Sequence, residues 1–262
     1  MSLHVDSYGS LGSPLLFIHG WGMHGGMWGS VLEILGRQFR VFAVDLPGHG
    51  YSSRNEDCGF RIGTETLDAI VEKLSIQFSG SLTVCGWSLG GQVALRWAQR
   101  YPQQMSRLVL ISSTPCFVQK EGWSCAMPEK TLADFSHALQ QDYVATLRRF
   151  LSLQLRGSEN EREHLAALRK SLMTRGGPNL SALQSGLRML RDVDLRDALA
   201  DIHQPALVIS GGRDTLTPLA ASQYMAERMP DARLATIAGA AHAPFLSHAE
   251  EFVGHISGFM HG

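Results

Sequence analysis

Leu82-Thr83-Val84-Cys85-Gly86-Trp87-Ser88-Leu89-Gly90-Gly91 joins a short apolar run to a helical pattern that continues from Gln92 to Arg100. A Gly-x-Ser-x-Gly turn between a strand and a helix holds its serine in a strained backbone conformation, with the hydroxyl pushed clear of the sheet. Side chains in place of Gly86 or Gly90 would collide with the neighbouring strand and helix. Ser88 is therefore the candidate nucleophile, and the rest of the chain is read for a base, an acid and an oxyanion site.

Upstream, Leu15-Leu16-Phe17-Ile18 and Val41-Phe42-Ala43-Val44 are continuous apolar runs that end in turn residues, His19-Gly20-Trp21-Gly22 and Asp45-Leu46-Pro47-Gly48-His49-Gly50. Such runs fit strands buried on both faces. Thr64–Phe78 reads as a helix, with Leu67, Ile70, Val71 and Leu74 on one face. Leu108-Val109-Leu110-Ile111 is another buried strand, and the rhythm returns with Ala206–Ile209, a helix over Ala220–Arg228, the strand Leu234–Ile237 and a last helix near Glu250–Phe259. Strands alternating with helices imply a mostly parallel sheet covered on both faces. Between them, from about Cys116 to Arg191, only helical periodicities occur, broken at Gly157 and Gly176-Gly177-Pro178. The expected organisation is one α/β core, 1–115 and 192–262, with an all-helical lid inserted at 116–191.

Open parallel sheets place their sites at the C-terminal ends of the strands. Asp214, in Gly211-Gly212-Arg213-Asp214, follows one late strand, and His242, in Gly239-Ala240-Ala241-His242-Ala243-Pro244, follows the last. Serine, aspartate, histidine is the chain order that a Gly-x-Ser-x-Gly elbow requires. A serine hydroxyl needs a base, and imidazole titrates near neutrality. Asp214 would fix the tautomer of His242 and stabilise the imidazolium. Backbone amides of Leu89 and Trp21 are the expected oxyanion donors. An aspartate after a strand also makes a turn or cap, and Trp21 also reads as an aromatic plug. His19 and His49 sit in glycine-rich loops as backbone-shaping residues.

Hydrophobic residues make up 44% of the 262 and charged residues 18%, with a net charge of −1. No global field recruits nucleic acid or an anionic membrane. No apolar stretch is long enough to span a bilayer, and Met1–Asp6 lacks a signal-peptide pattern. Cys58, Cys85, Cys116 and Cys125 show no pairing framework and read as reduced thiols of a cytoplasmic protein. No metal-ligand spacing occurs, so neither metal nor cofactor is expected.

The chain resembles the α/β-hydrolase family and, within it, the pimeloyl-[acyl-carrier protein] methyl ester carboxylesterases of biotin synthesis. His19–Gly22, Val44–Gly48, Gly86–Gly91, Ser113-Thr114-Pro115-Cys116-Phe117, Arg149-Phe150-Leu151, Val193–Arg196 and Ala241-His242-Ala243-Pro244-Phe245 carry the resemblance. It implies a methyl-ester hydrolase with Ser88, Asp214 and His242 as triad and Trp21 and Leu89 at the ester site. Phe150, Leu151, Ser152, Leu153 and Gln154 would hold the acyl chain. The implied partner is an acyl carrier protein bearing a pimeloyl methyl ester, met by a monomer.

From Gln141 to Arg175 seven basic residues face four acidic ones. On a helix starting at Asp142, Tyr143, Val144, Leu147, Phe150 and Leu151 cluster on one face, with Arg149 and Arg156 opposite. Arg162 and Arg169 share a face of the next helix. A lid basic outside and apolar inside suits an acidic carrier with a greasy arm, although such faces are often only solvated. Ala145 and Ala166 stand where members of the family carry further lid arginines. A less selective short-acyl carboxylesterase shares the same machinery, as do carbon–carbon hydrolases and a lyase of menaquinone synthesis. A slow-turnover ligand receptor is the reading from another class.

Overall fold

A computed structural model describes residues 3–53 and 66–262. Cys58 and the start of the expected helix at Thr64 lie outside those residues. The strands are β1 (Val5–Tyr8), β2 (Pro14–Ile18), β3 (Arg40–Val44), β4 (Leu82–Trp87), β5 (Met105–Ile111), β6 (Ala206–Gly211) and β7 (Ala232–Ile237). They form one sheet in the order β1-β3-β2-β4-β5-β6-β7. Only β1 runs antiparallel, with Val5 opposite Val44 on the edge. The inner strands are largely apolar because helices cover both faces, and every residue of β4 and β6 is buried.

The helices are α1 (Val31–Leu35), α2 (Leu67–Gln77), α3 (Leu89–Arg100), α4 (Glu129–Gln141), α5 (Tyr143–Gln154), α6 (Glu161–Met173), α7 (Leu180–Asp192), α8 (Leu219–Arg228), α9 (Pro244–Ser247) and α10 (Ala249–His261). Thr66 caps α2, accepting the Ala69 amide through its side chain. Pairs α2 and α3, and α1 and α10, pack on each other while α3 and α8 lie against the sheet. Helices α4 to α7 all fall between β5 and β6 in the chain. Ahead of α4, the segment from Cys116 to Met127 carries isolated bridges, Cys116 with Asp194, Val118 with Met127 and Lys120 with Trp123, and the Trp123 indole donates to the Cys116 carbonyl at 2.9 Å. No described helix is long and apolar enough to cross a membrane.

Among the ties that bind the helical segment to the core, two involve arginines. Arg175, after α6, puts Nη1 on both oxygens of the fully buried Asp45 carboxylate (3.2 and 3.1 Å) and Nη2 on Asp6. Asp45 also accepts the Gly25 and Tyr51 amides at 2.6 and 2.8 Å, and the guanidinium lies 4.9 Å over the Tyr51 ring. The second tie is the turn between α5 and α6. There the Gln154 carbonyl accepts the Ala243 amide at 3.1 Å, and the Gly157 carbonyl accepts Nη1 of Arg213 at 2.7 Å. Ala243 and Arg213 are the chain neighbours of His242 and Asp214.

The expected face of α5 needs correction. The helix ends at Gln154, so Arg156 lies beyond it and shares no face with Arg149. Gly157, at φ +81, belongs to the turn that stops the helix. The apolar residues divide: Phe150 and Leu153 line one space, while Tyr143, Val144, Leu147 and Leu151 line another on the far side.

Candidate active site

Three strand ends meet at the site. Ser88 caps α3 directly after β4 with φ 55 and ψ −117, a left-side conformation that β-carbon-bearing residues adopt only under strain. Its backbone is held on both sides: its N–H donates to Ile111 at 3.0 Å, and its carbonyl accepts the Ser113 hydroxyl at 2.9 Å. A β-carbon at Gly86 would overlap the Gly90 backbone, one at Gly90 the Ile18 carbonyl, and one at Gly91 the Ser113 side chain. The elbow is thus forced by sterics from three directions.

Asp214 follows β6 and His242 follows β7. His242 Nδ1 lies 2.8 Å from Asp214 Oδ2, and both side chains are buried. The same carboxylate accepts the amides of Leu216 and Thr217 at 2.8 and 3.0 Å and the Thr217 hydroxyl at 2.7 Å. The turn role and the histidine partnership are therefore one arrangement: the bonds that make Asp214 a turn residue aim its second oxygen at the imidazole. Thr217 is a further residue of the site, announced in the sequence only by its place three after the aspartate. His242 is fixed from the other side, its carbonyl accepting Trp87 Nε1 at 2.8 Å.

The loop after β2 passes against Ser88, since a β-carbon on Gly20 would lie 3.2 Å from Ser88 Cβ. Trp21 follows, and Leu89 opens α3, so its amide stands at the positive end of the helix dipole. His19 ties this loop to the one after β3. Its Nε2 accepts the Leu46 amide at 3.0 Å, so Nδ1 carries the proton and donates to Gly20 at 2.8 Å. Burial first, then the nearby His49, keeps the His19 pKa well below that of a free histidine. His19 is thereby a neutral brace.

Trp21 turns its ring to the helices above. Nε1 donates to the Leu183 carbonyl at 2.8 Å, and the ring packs edge-on to Phe150 (4.7 Å) and Phe135 (5.5 Å). A β-carbon on Gly186 of α7 would come within 2.5 Å of the Trp21 ring. Beside Trp21 lies an apolar cavity of about 250 Å³, walled by Phe135, Phe150, Leu153, Leu187 and Leu216, with Asp134 and Arg149 among its lining residues. Ser88 and His242 are not among those residues; the cavity reaches the site at Trp21 and Leu216.

Of the residues expected along the acyl chain, Phe150 and Leu153 line this cavity. Leu151 packs on the opposite side of α5, and Ser152 bonds back to Arg148 and to Arg169. Gln154 is buried, with its amide on the Phe150 carbonyl. Arg149, Arg156, Arg162 and Arg169 are all exposed. Among the described residues no cluster of side chains has the makings of a metal site.

A family model described as the alpha/beta hydrolase fold matches residues 13–249. The chain belongs to the α/β-hydrolase family. Curated relatives of this hydrolase carry the name pimeloyl-[acyl-carrier protein] methyl ester esterase. The one from Nitrosomonas europaea is 44% identical over 96% of this chain and 97% of its own length. That from Nitrosospira multiformis is 38% identical over 99% and 98%. Among solved structures, an esterase from Exiguobacterium antarcticum superposes with a TM-score of 0.87 at 22% identity, covering 99% of this chain and 96% of its own. A hydrolase from Pseudomonas aeruginosa superposes at 0.82 with 27% identity, over 98% and 94%.

Proposed function

We propose that this α/β-hydrolase is a serine carboxylesterase that cleaves the methyl ester of a pimeloyl-acyl carrier protein, releasing methanol and the free pimeloyl-carrier acid for biotin synthesis. The observation that carries the reading is 44% identity to a pimeloyl-[acyl-carrier protein] methyl ester esterase along 96% of the chain, the inserted helices included. The geometry supports the chemistry: a strained serine at a helix N-terminus, and a buried histidine held 2.8 Å from a carboxylate and bonded through its own carbonyl to Trp87, the residue before that serine.

In this mechanism His242 takes the proton of Ser88 as its oxygen attacks the ester carbonyl. The amides of Trp21 and Leu89 receive the oxyanion, aided by the dipole of α3. His242 then protonates the departing methoxide, and methanol leaves. Water, deprotonated by the same imidazole, attacks the acyl-enzyme; His242 returns the proton to Ser88 and the acid is released. Asp214 holds the imidazole with its proton on Nδ1, and Thr217 holds Asp214. The route uses water and no cofactor.

The cavity walled by Phe150 and Leu153 takes the acyl chain. Arg149, Arg156, Arg162 and Arg169 offer charge to an acidic carrier at the surface of α5, α6 and their turn. The setting is the cytoplasm, where the free thiols Cys85, Cys116 and Cys125 stay reduced, and the working unit is the monomer.

The test is methanol release from the carrier-bound pimeloyl methyl ester. The parental chain should hydrolyse it with a higher kcat/KM than a free short-chain methyl ester, and Ser88→Ala should abolish release while the protein still melts cooperatively. Retained hydrolysis in Ser88→Ala would remove the serine mechanism. Equal kcat/KM for the two substrates would favour the broad short-acyl esterase.

A further inference from the structure

Behind the acyl cavity lies a second space, a groove of about 330 Å³ along the seam between α4 and α7. Its rim is polar, with Glu129, His137, Gln140, Arg188 and Arg191, whereas the cavity beside Trp21 is mainly apolar. Two residues line both spaces: Leu132 of α4 and Leu187 of α7. Each is 5% exposed.

The helical period explains the arrangement. On α4, Phe135 and Ala138 continue the stripe from Leu132 toward the cavity, while Ser136 and Gln140 follow the groove. On α7, Leu190 lies one turn from Leu187 on the cavity side, and Arg188 and Arg191 stand on the groove side. The two leucines are where the stripes of facing helices meet.

We propose that Leu132 and Leu187 form the wall that sets which acyl chains the site accepts, by closing the α4–α7 side of the cavity. The inference rests on the esterase reading and extends it to chain-length selection. A chain that fits beside Trp21 and Phe150 keeps its methylenes among apolar atoms. A longer unbranched chain must either displace a leucine or end against polar, hydrated groups, and both cost binding free energy. With this side shut, the carrier arm enters between α4 and α5, where Asp134 and Arg149 line the same cavity. The wall should therefore govern free long-chain esters far more than the carrier-linked ester.

The test compares kcat/KM for p-nitrophenyl dodecanoate and p-nitrophenyl butyrate on one preparation of each variant. Leu187→Ala and Leu132→Ala should each raise the long-to-short ratio by roughly tenfold or more, the scale of about one methylene in a hydrophobic pocket. Leu187→Phe, which fills space instead of opening it, should lower the ratio. The ratio is internal to each preparation, so a uniform loss of activity leaves it unmoved. A ratio within twofold of the parent in both alanine variants would overturn the wall. If the alanine variants do not fold, an unchanged ratio in Leu187→Phe overturns it. Failure of the esterase reading would appear separately, as hydrolysis of both esters surviving Ser88→Ala.

Discussion

The indole of Trp87 donates its N–H to the carbonyl of His242 at 2.8 Å, so the residue before the candidate nucleophile holds the backbone of the candidate base. Trp87 is buried, packs on Phe245 at 4.8 Å and has its ring 5.8 Å from that of His242. The variable position of the elbow is thus a strut between two loops that carry candidate catalytic residues. Trp87→Phe should keep most of the packing and leave a buried carbonyl without its donor. The expected loss is about 1–3 kcal/mol of stability, with kcat on a small ester falling more than KM rises. Urea unfolding and steady-state kinetics on one preparation would check it.

Asp214→Asn should preserve the fold and lower kcat by about three to four orders of magnitude, because an amide can present an N–H to Nδ1 and so select the wrong tautomer. Thr217→Val removes only the hydroxyl that fixes the second carboxylate oxygen, and a roughly tenfold fall is the expected scale for one such bond. Pre-steady-state acylation with p-nitrophenyl acetate separates the two.

The Arg213 tie connects the turn after α5 to the loop that carries Asp214. Arg213→Ala should lower kcat severalfold with little change in KM, and Arg213→Lys should recover part of it, since an ammonium can still reach a carbonyl. An unchanged kcat in Arg213→Ala would show that the turn does not position the acid. The comparison belongs on a free ester, so that carrier docking does not enter.

Arg175→Met would strand the buried Asp45 carboxylate without its cation. Breaking a buried pair by removing one partner costs about 3–5 kcal/mol. Adding Asp45→Asn should restore part of that loss, which chemical denaturation of the single and double variants would read directly.

Two buried histidines predict sensitivity to acid. Burial lowers the His49 pKa to about 4, and His19 is lowered well below its usual value. A histidine whose folded pKa is depressed binds its proton more readily when unfolded. Its stabilising contribution is therefore intact above the unfolded pKa of about 6.5 and is lost as pH falls toward 4. For His49 alone the loss is about 3 kcal/mol by pH 4. The melting temperature measured between pH 7 and pH 4.5 should fall steeply, and His49→Asn should flatten the slope.

Much of this was legible from residue order. Buried parallel strands announce themselves as unbroken apolar runs, so β2 to β6 are plain in the sequence. The edge strand β1 was not, because Val5-Asp6-Ser7-Tyr8 is only partly buried and lacks such a run. Ser88, Asp214 and His242 stand at strand ends, where position itself carries information. The roles of Thr217, Arg213 and Arg175 depend on which loops meet. Arg175 and Asp45 are 130 residues apart, and no local pattern encodes that distance. The faces of α5 misled for a related reason: single-sided periodicity cannot describe a helix buried against two neighbours, although Gly157 did mark where it would end.

Gly186 has a consequence for how such proteins diversify. Glycine inside a helix costs about 1 kcal/mol relative to alanine, yet here even one methyl group would strike the Trp21 ring. Drift at position 186 is therefore coupled to the shape of residue 21 beneath it. A different helical insertion recruited onto this scaffold would have to bring a gap at that height, or arrive together with a smaller residue in the loop after β2. Position 186 and position 21 therefore change together or not at all, because neither can grow while the other keeps its size.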